Sequence, residues 1–304
     1  MKSVAQIKIL ICESVAISIF KISRVISSMG FLQKTFQYLS WLSLDVVVGA
    51  MAGMYFFMDL FHVHLQWPAF ALLGLAVWSI YTLDHLIDVR SIRTELAPRR
   101  EFHQKFRKAL WGLLILAVLI GLVGAFTWFG WGKELQLTLI LAFLILGSRV
   151  MIRKIGPGWM KEFSIAVFYV VGIVWLPILR AEAVDITWVS LLFLPGYILL
   201  AFLNLLMLSF LDLDEDAKSG FFSVASTLPT QKIIQLIRQV AFGLIFLSLA
   251  GFIFLPSFYR PFSCVVVLMA LVHYVSFFQS GVAIHQKRQQ MELAFSIPWL
   301  LMLF

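Results

Sequence analysis

The sequence predicts an all-α integral membrane protein with nine transmembrane helices, and three observations carry that prediction. The 304 residues are 61% hydrophobic and only 13% charged, with a mean hydropathy of +0.94. Soluble domains carry roughly a quarter charged residues, so the balance belongs to a chain solvated by lipid. Apolar stretches of spanning length recur along the chain. The basic residues fall on alternate connections between those stretches.

The spans read, in order, as 43–60, 67–88, 109–129, 134–150, 162–179, 187–211, 233–255, 261–279 and 291–304. The first two flank a short connection holding His62 and His64. The third follows the longest hydrophilic stretch, about residues 89–108, so no soluble domain fits between spans. The fourth is lean and ends in Arg149, Arg153 and Lys154; Gly156-Pro157-Gly158 then breaks the chain. Acidic residues close the sixth, Pro256 and Pro261 bracket the turn between the seventh and eighth, and the ninth is short. Residues 1–40 mix lysine and arginine with apolar residues and read as a cytoplasmic amphipathic segment. Residues 41–304 form the transmembrane domain.

The net charge of +8 is a matter of orientation. Of the 24 lysines and arginines, all but Lys133, Arg180 and Arg260 lie on one side of this topology. The positive-inside rule makes that side cytoplasmic and places the N-terminus there. The basic excess therefore excludes a nucleic-acid footprint, and the simplest location is a bacterial cell (inner) membrane.

Two aspartate pairs carry chemistry. Asp84 and Asp88 close the second span, and Asp212 and Asp216 close the sixth. An i,i+4 spacing puts both carboxylates of a pair on one helix face, about 6 Å apart along the axis. Carboxylates at hydrocarbon depth are expensive, and two facing pairs make a set of oxygen ligands for hard divalent cations. Four spans separate the pairs, in the same orientation, as in a parallel repeat. Asn204 lies eight residues before Asp212 on the same face and either bridges helices or helps hold a ligand. Asp45, at the cytoplasmic end of the first span, either faces the cavity or reaches the interface. Arg153, Lys154 and Lys161 suit an anionic phosphate, although positive-inside topology also accounts for them. The same holds for Arg90, Arg93, Arg99, Arg100 and His103. His62 and His64 have metal-like spacing without neighbouring ligands and read as interfacial; His85 reads as packing or interfacial. His273-Tyr274 lies inside the membrane and is a substrate-pocket candidate.

These motifs resemble those of the UbiA-type intramembrane prenyltransferase superfamily. Its second signature, Asp-x-x-x-Asp with Gly four residues on, is matched by Asp212, Asp216 and Gly220, with Ser223 where Ser or Thr is common. Its first, Asn-x-x-x-Asp-x-x-x-Asp, is matched at Asp84 and Asp88, while Ile80 stands at the Asn position. Arg153-Lys154 reverses the family's Lys-Arg pair, and Ala217-Lys218 stands where Arg commonly follows. The resemblance spans roughly residues 40–304, with its specificity in two segments of about ten residues.

The resemblance implies nine helices around a central cavity capped on the cytoplasmic side. It implies Mg²⁺ held by Asp84, Asp88, Asp212 and Asp216, and a prenyl diphosphate donor contacted by Arg153, Lys154, Lys161 and Lys218. It implies transfer of the isoprenyl group to an aromatic or other lipophilic acceptor. Two other functions are open on the same residues. One is a family-like protein that binds a polyprenyl lipid or assists another membrane enzyme, and the other is a cation-coupled transporter.

Overall fold

The computed structural model describes residues 30–91, 98–155, 158–213 and 229–303. Every regular element among them is helical. They are α1 (Gly30–Trp41), α2 (Leu44–Leu60), α3 (Trp67–Ser91), α4 (Pro98–Lys105), α5 (Arg107–Phe129), α6 (Lys133–Ile155), α7 (Gly158–Arg180), α8 (Trp188–Leu191), α9 (Phe193–Leu211), α10 (Thr230–Phe254), α11 (Arg260–Phe278) and α12 (Ile284–Ala294). Short 3₁₀ segments cover Ser257–Tyr259 and Ile297–Leu303. Of the amphipathic segment expected over residues 1–40, residues 1–29 lie outside the described residues.

Six helices among the described residues are long and apolar enough to cross a membrane: Trp67–Val89, Arg107–Phe129, Met160–Arg180, Trp188–Leu211, Thr230–Phe254 and Ser257–Phe278. The bent pair Thr35–Trp41 and Leu44–Leu60 makes a seventh if it is one span. The chain is thus a multi-pass helical membrane protein. The expected fourth span is a helix of 23 residues (α6), bounded by Lys133 and Glu134 at one end and Arg153 and Lys154 at the other. The expected ninth span takes a different form. Eleven residues of α-helix are followed by seven of 3₁₀-helix. At 1.5 and 2.0 Å per residue these cover roughly 30 Å, about one hydrocarbon thickness.

Contacts fix the direction of that broken segment. At one end Lys287 Nζ donates to Phe277 O, at the C-terminus of α11, over 3.0 Å. At the other, the Trp299 ring stacks 6.4 Å from Trp67, at the start of α3. Below, the basic end is the one carrying the ends of α3 and α9, and the opposite end carries Trp67. A break in backbone pairing at membrane depth is tolerated only where protein surrounds it. Met291, Ala294, Phe295, Ile297 and Leu301 are accordingly buried, and the segment packs on α2, α9 and α11.

Local sequence sets the other boundaries. A capping box starts the α8–α9 span: Thr187 Oγ1 accepts the Ser190 N–H and Ser190 Oγ accepts the Thr187 N–H. Pro261, at the first turn of α11, costs no intrahelical bond. Between α1 and α2 the chain bends by 71° at Ser43, which adopts φ +56°. The core is aromatic at its centre: Phe56 lies 5.1–5.9 Å from the rings of Phe57, Phe193, Tyr197 and Phe262. Large apolar side chains on α5 (Leu113, Ile115, Leu119, Val123) are exposed, as a lipid-facing helix requires.

Candidate functional site

The bend at Ser43 places two buried hydroxyls, Ser40 and Ser43, at the basic end of α2. Arg99, from α4, reaches into the same place. Its Nη2 donates to His85 Nε2 at 2.7 Å and to Ser43 Oγ at 3.2 Å. Accepting that bond leaves no proton on Nε2 of His85. His103, one turn along α4, donates from Nδ1 to Arg99 O at 2.8 Å and lies 4.8 Å ring to ring from His85. His85, read from sequence as a packing or interfacial residue, is part of a polar site. Arg99 Nε is buried and has no hydrogen-bond partner.

From the C-terminal segment, Arg288 and Glu292 enter one helical turn apart, on one face of α12. Arg288 Nη2 donates to both carboxylate oxygens of Asp212, which ends α9. Glu292 is 5% exposed, accepts from Ser40 Oγ at 3.2 Å and lies beside Asp45. Asp45 thus meets the C-terminal segment within the fold. Burial lowers the Arg99 guanidinium from its usual value; Glu292 opposes that, Arg288 adds to it, and Asp45 and Asp212 oppose it further. One ionic cluster thus joins α2, α3, α4, α9 and α12.

Burial also lowers His103 below the ordinary imidazole value, the bond to Arg99 O opposing this and the Arg99 charge adding to it. A base with a depressed folded value binds fewer protons folded than unfolded, so its contribution to stability is present above about pH 6.5 and is lost as pH falls through the folded value. The melting temperature should therefore drop as pH falls below about 6.5, and His103→Gln should remove part of that slope.

The residues expected from sequence are not all brought together. Asp84 and Asp88 are half-buried on α3, and Asp212 is held by Arg288. Asp216 and Lys218 lie outside the described residues, as do the side chains of Arg153 and Lys154. Lys161 is exposed on α7. Asn204 is 9% exposed, and its Oδ1 has no partner, two turns deeper on α9 than Asp212. Hard carboxylate oxygens suit Mg²⁺ in kind. Among the described residues, which leave out Asp216, no group of three or more His, Cys, Asp or Glu is placed to hold a metal ion. Both oxygens of Asp212 already face a guanidinium.

At the opposite end, His62 and His64 belong to no group of three or more His, Cys, Asp or Glu that could hold a metal ion among the described residues. With Glu134, Arg180, Glu182 and Asp185 they line an open pocket of about 370 Å³. Arg180 there forks onto Glu134 at 3.1 and 2.9 Å.

Reading by sequence missed Arg288 and Glu292. The available signal was a charged i,i+4 pair at the start of the last apolar stretch. No family model matches the chain, and neither a curated protein nor a solved structure matches it.

Proposed function

We propose that this chain is an intramembrane transferase that moves an isoprenyl group from a prenyl diphosphate to an aromatic or other lipophilic acceptor. In this reading nine spans enclose the site, the basic end is cytoplasmic and the membrane is the bacterial inner membrane. The observation that carries it is Arg99, a guanidinium with a buried, unpartnered Nε at the ends of the two aspartate-bearing helices. A planar guanidinium with spare donors in a partly dry site suits a phosphate group. His85 and Ser43 hold its other edge in place. Arg153, Lys154, Lys161 and Lys218 would add positive charge around the same diphosphate. The aspartates Asp84, Asp88, Asp212 and Asp216 would hold Mg²⁺, which supplies charge neutralisation at the leaving diphosphate. Asp212 becomes available to it only when Arg288 lets go.

The test is reconstitution in lipid with labelled prenyl diphosphates, Mg²⁺ and a panel of ring-bearing acceptors, with products identified by mass. Arg99→Gln is expected to weaken diphosphate binding about tenfold, the value of one charge-assisted contact. Absence of diphosphate binding by the unmodified chain overturns the reading.

The Arg288–Asp212 pair favours a second reading, a non-catalytic protein that binds a polyprenyl lipid, because a salt-bridged carboxylate is a poor metal ligand. Tight prenyl diphosphate binding without transfer to any acceptor would establish it.

A further inference from the structure

A second set of polar groups is buried deeper, around Phe295, where α12 ends. This phenylalanine lies between the ionic face of Arg288 and Glu292 and the aromatic contact of Trp299. Its ring is surrounded by those of Tyr169, Tyr197 and His273, at 5.9, 6.2 and 5.2 Å. These come from α7, α9 and α11. Tyr197 and His273 are both 0% exposed, yet Tyr197 Oη and His273 Nε2 have no hydrogen-bond partner. Buried side-chain atoms left in that condition are few in native proteins and need a reason. Apolar hydration cannot supply it, since each unmade bond carries the full desolvation penalty.

The protonation pattern says what would satisfy them. His273 Nδ1 donates to Met269 O at 2.7 Å, so the proton of the neutral ring sits there and Nε2 is a bare acceptor. Tyr197 Oη both donates and accepts. The α2 backbone closes on that hydroxyl at Gly53, where a Cβ would stand 2.9 Å from Oη. Ile173 is fully buried against the same glycine, and Tyr169 is a further polar neighbour of Tyr197. A charged ligand is disfavoured in such surroundings. A ring is accommodated, because the chain's own Phe295 already occupies the aromatic slot. That phenylalanine sits at the turn where α12 gives way to the 3₁₀ segment.

We propose that Tyr197 and His273, with the slot filled by Phe295, form a binding site for an uncharged, ring-bearing lipophile with a hydroxyl donor. The hydroxyl donates to His273 Nε2 and accepts from Tyr197 Oη, while the ring replaces that of Phe295. The site does not depend on the transferase reading; only its use as the acceptor site rests on that.

The experiment uses the full chain in lipid nanodiscs without diphosphate or Mg²⁺. It is titrated with para-hexylphenol and, separately, with the methyl ether of that phenol, which has no donor. Binding is followed by tryptophan fluorescence and corrected for partition into protein-free nanodiscs. The phenol is expected to bind about tenfold tighter than the ether, the value of a buried hydrogen bond whose loss strands its partner. Tyr197→Phe and His273→Phe should each reduce that preference. Phe295→Ala should strengthen binding of both probes with the preference retained. If His273→Phe does not fold, Tyr197→Phe, which removes one oxygen, decides. Equal affinity for phenol and ether in the unmodified chain overturns the site, as does a preference untouched by Tyr197→Phe. Phenol preference without any prenyl transfer leaves the site standing and removes only its role as an acceptor site; transfer without phenol preference does the reverse.

Discussion

Replacing Arg288 with glutamine is expected to raise the affinity of the chain for Mg²⁺ or Mn²⁺ by about tenfold or more, equivalent to ~1.4 kcal/mol per decade. Arg288 presents its charge to both oxygens of Asp212, so a divalent cation has to displace a guanidinium to use that carboxylate. The pair is only partly exposed, at 18% and 26%, so water screens it less than a surface pair. Removing the cation leaves the Asp212 carboxylate without its counter-charge, which a divalent ion can supply. Lysine at the same position keeps the charge and should keep the low affinity. Mn²⁺ binding read by electron paramagnetic resonance, with no substrate present, measures both variants. An unchanged affinity in Arg288→Gln would mean that Arg288 does not compete for the site. The same substitution should cost some stability, since α12 loses its ionic tie to α9.

Gly49→Ala is expected to destabilise the protein by about 3 kcal/mol, at the upper end of overpacking costs. A Cβ at position 49 would stand 2.7 Å from Phe295 Cβ. Both atoms are fixed to backbone, so no side-chain rotation relieves the clash, and α2 must separate from the C-terminal segment. Gly53→Ala meets Ile173 Cδ1 at 2.7 Å and Tyr197 Oη at 2.9 Å, the ends of side chains that can shift. Its effect should be smaller. Gly172→Ala has nothing within 4 Å and serves as the control, within roughly 0.5 kcal/mol of the unmodified chain. Melting temperatures of the three variants in one detergent give the ranking. A neutral Gly49→Ala would show that the C-terminal segment is not packed against α2 as described.

The C-terminal segment shows where sequence reading stops. Its apolar run over 291–304 reads as a short ninth span, and its end does reach the tryptophan at the opposite end of the bundle. Arg288, before that run, reads as connection, and Glu292, inside it, draws no assigned role, because position in the chain says nothing about which helices stand around them. In the fold, Arg288 and Glu292 lie inside the bundle and contact α9 and α1–α2. Arg99 is a similar case. One arginine among seven basic residues between two spans is indistinguishable from the others until α4 turns it toward His85 and Ser43. The aspartate motifs were legible by contrast, since an i,i+4 spacing in an apolar helix is visible without partners.

What the sequence determined by itself is the solvent of this protein, its all-helical character and the helix end on which its carboxylates lie. Those follow from composition, from the length of apolar runs and from periodicity, which are local quantities. Only the tertiary structure decided which charge faces which. Asp212 is met by a guanidinium from a helix more than seventy residues away, and Phe295 is surrounded by rings from three different helices. A helical period gives each side chain a face and a depth, but the neighbour across that face is chosen by how all the helices pack at once.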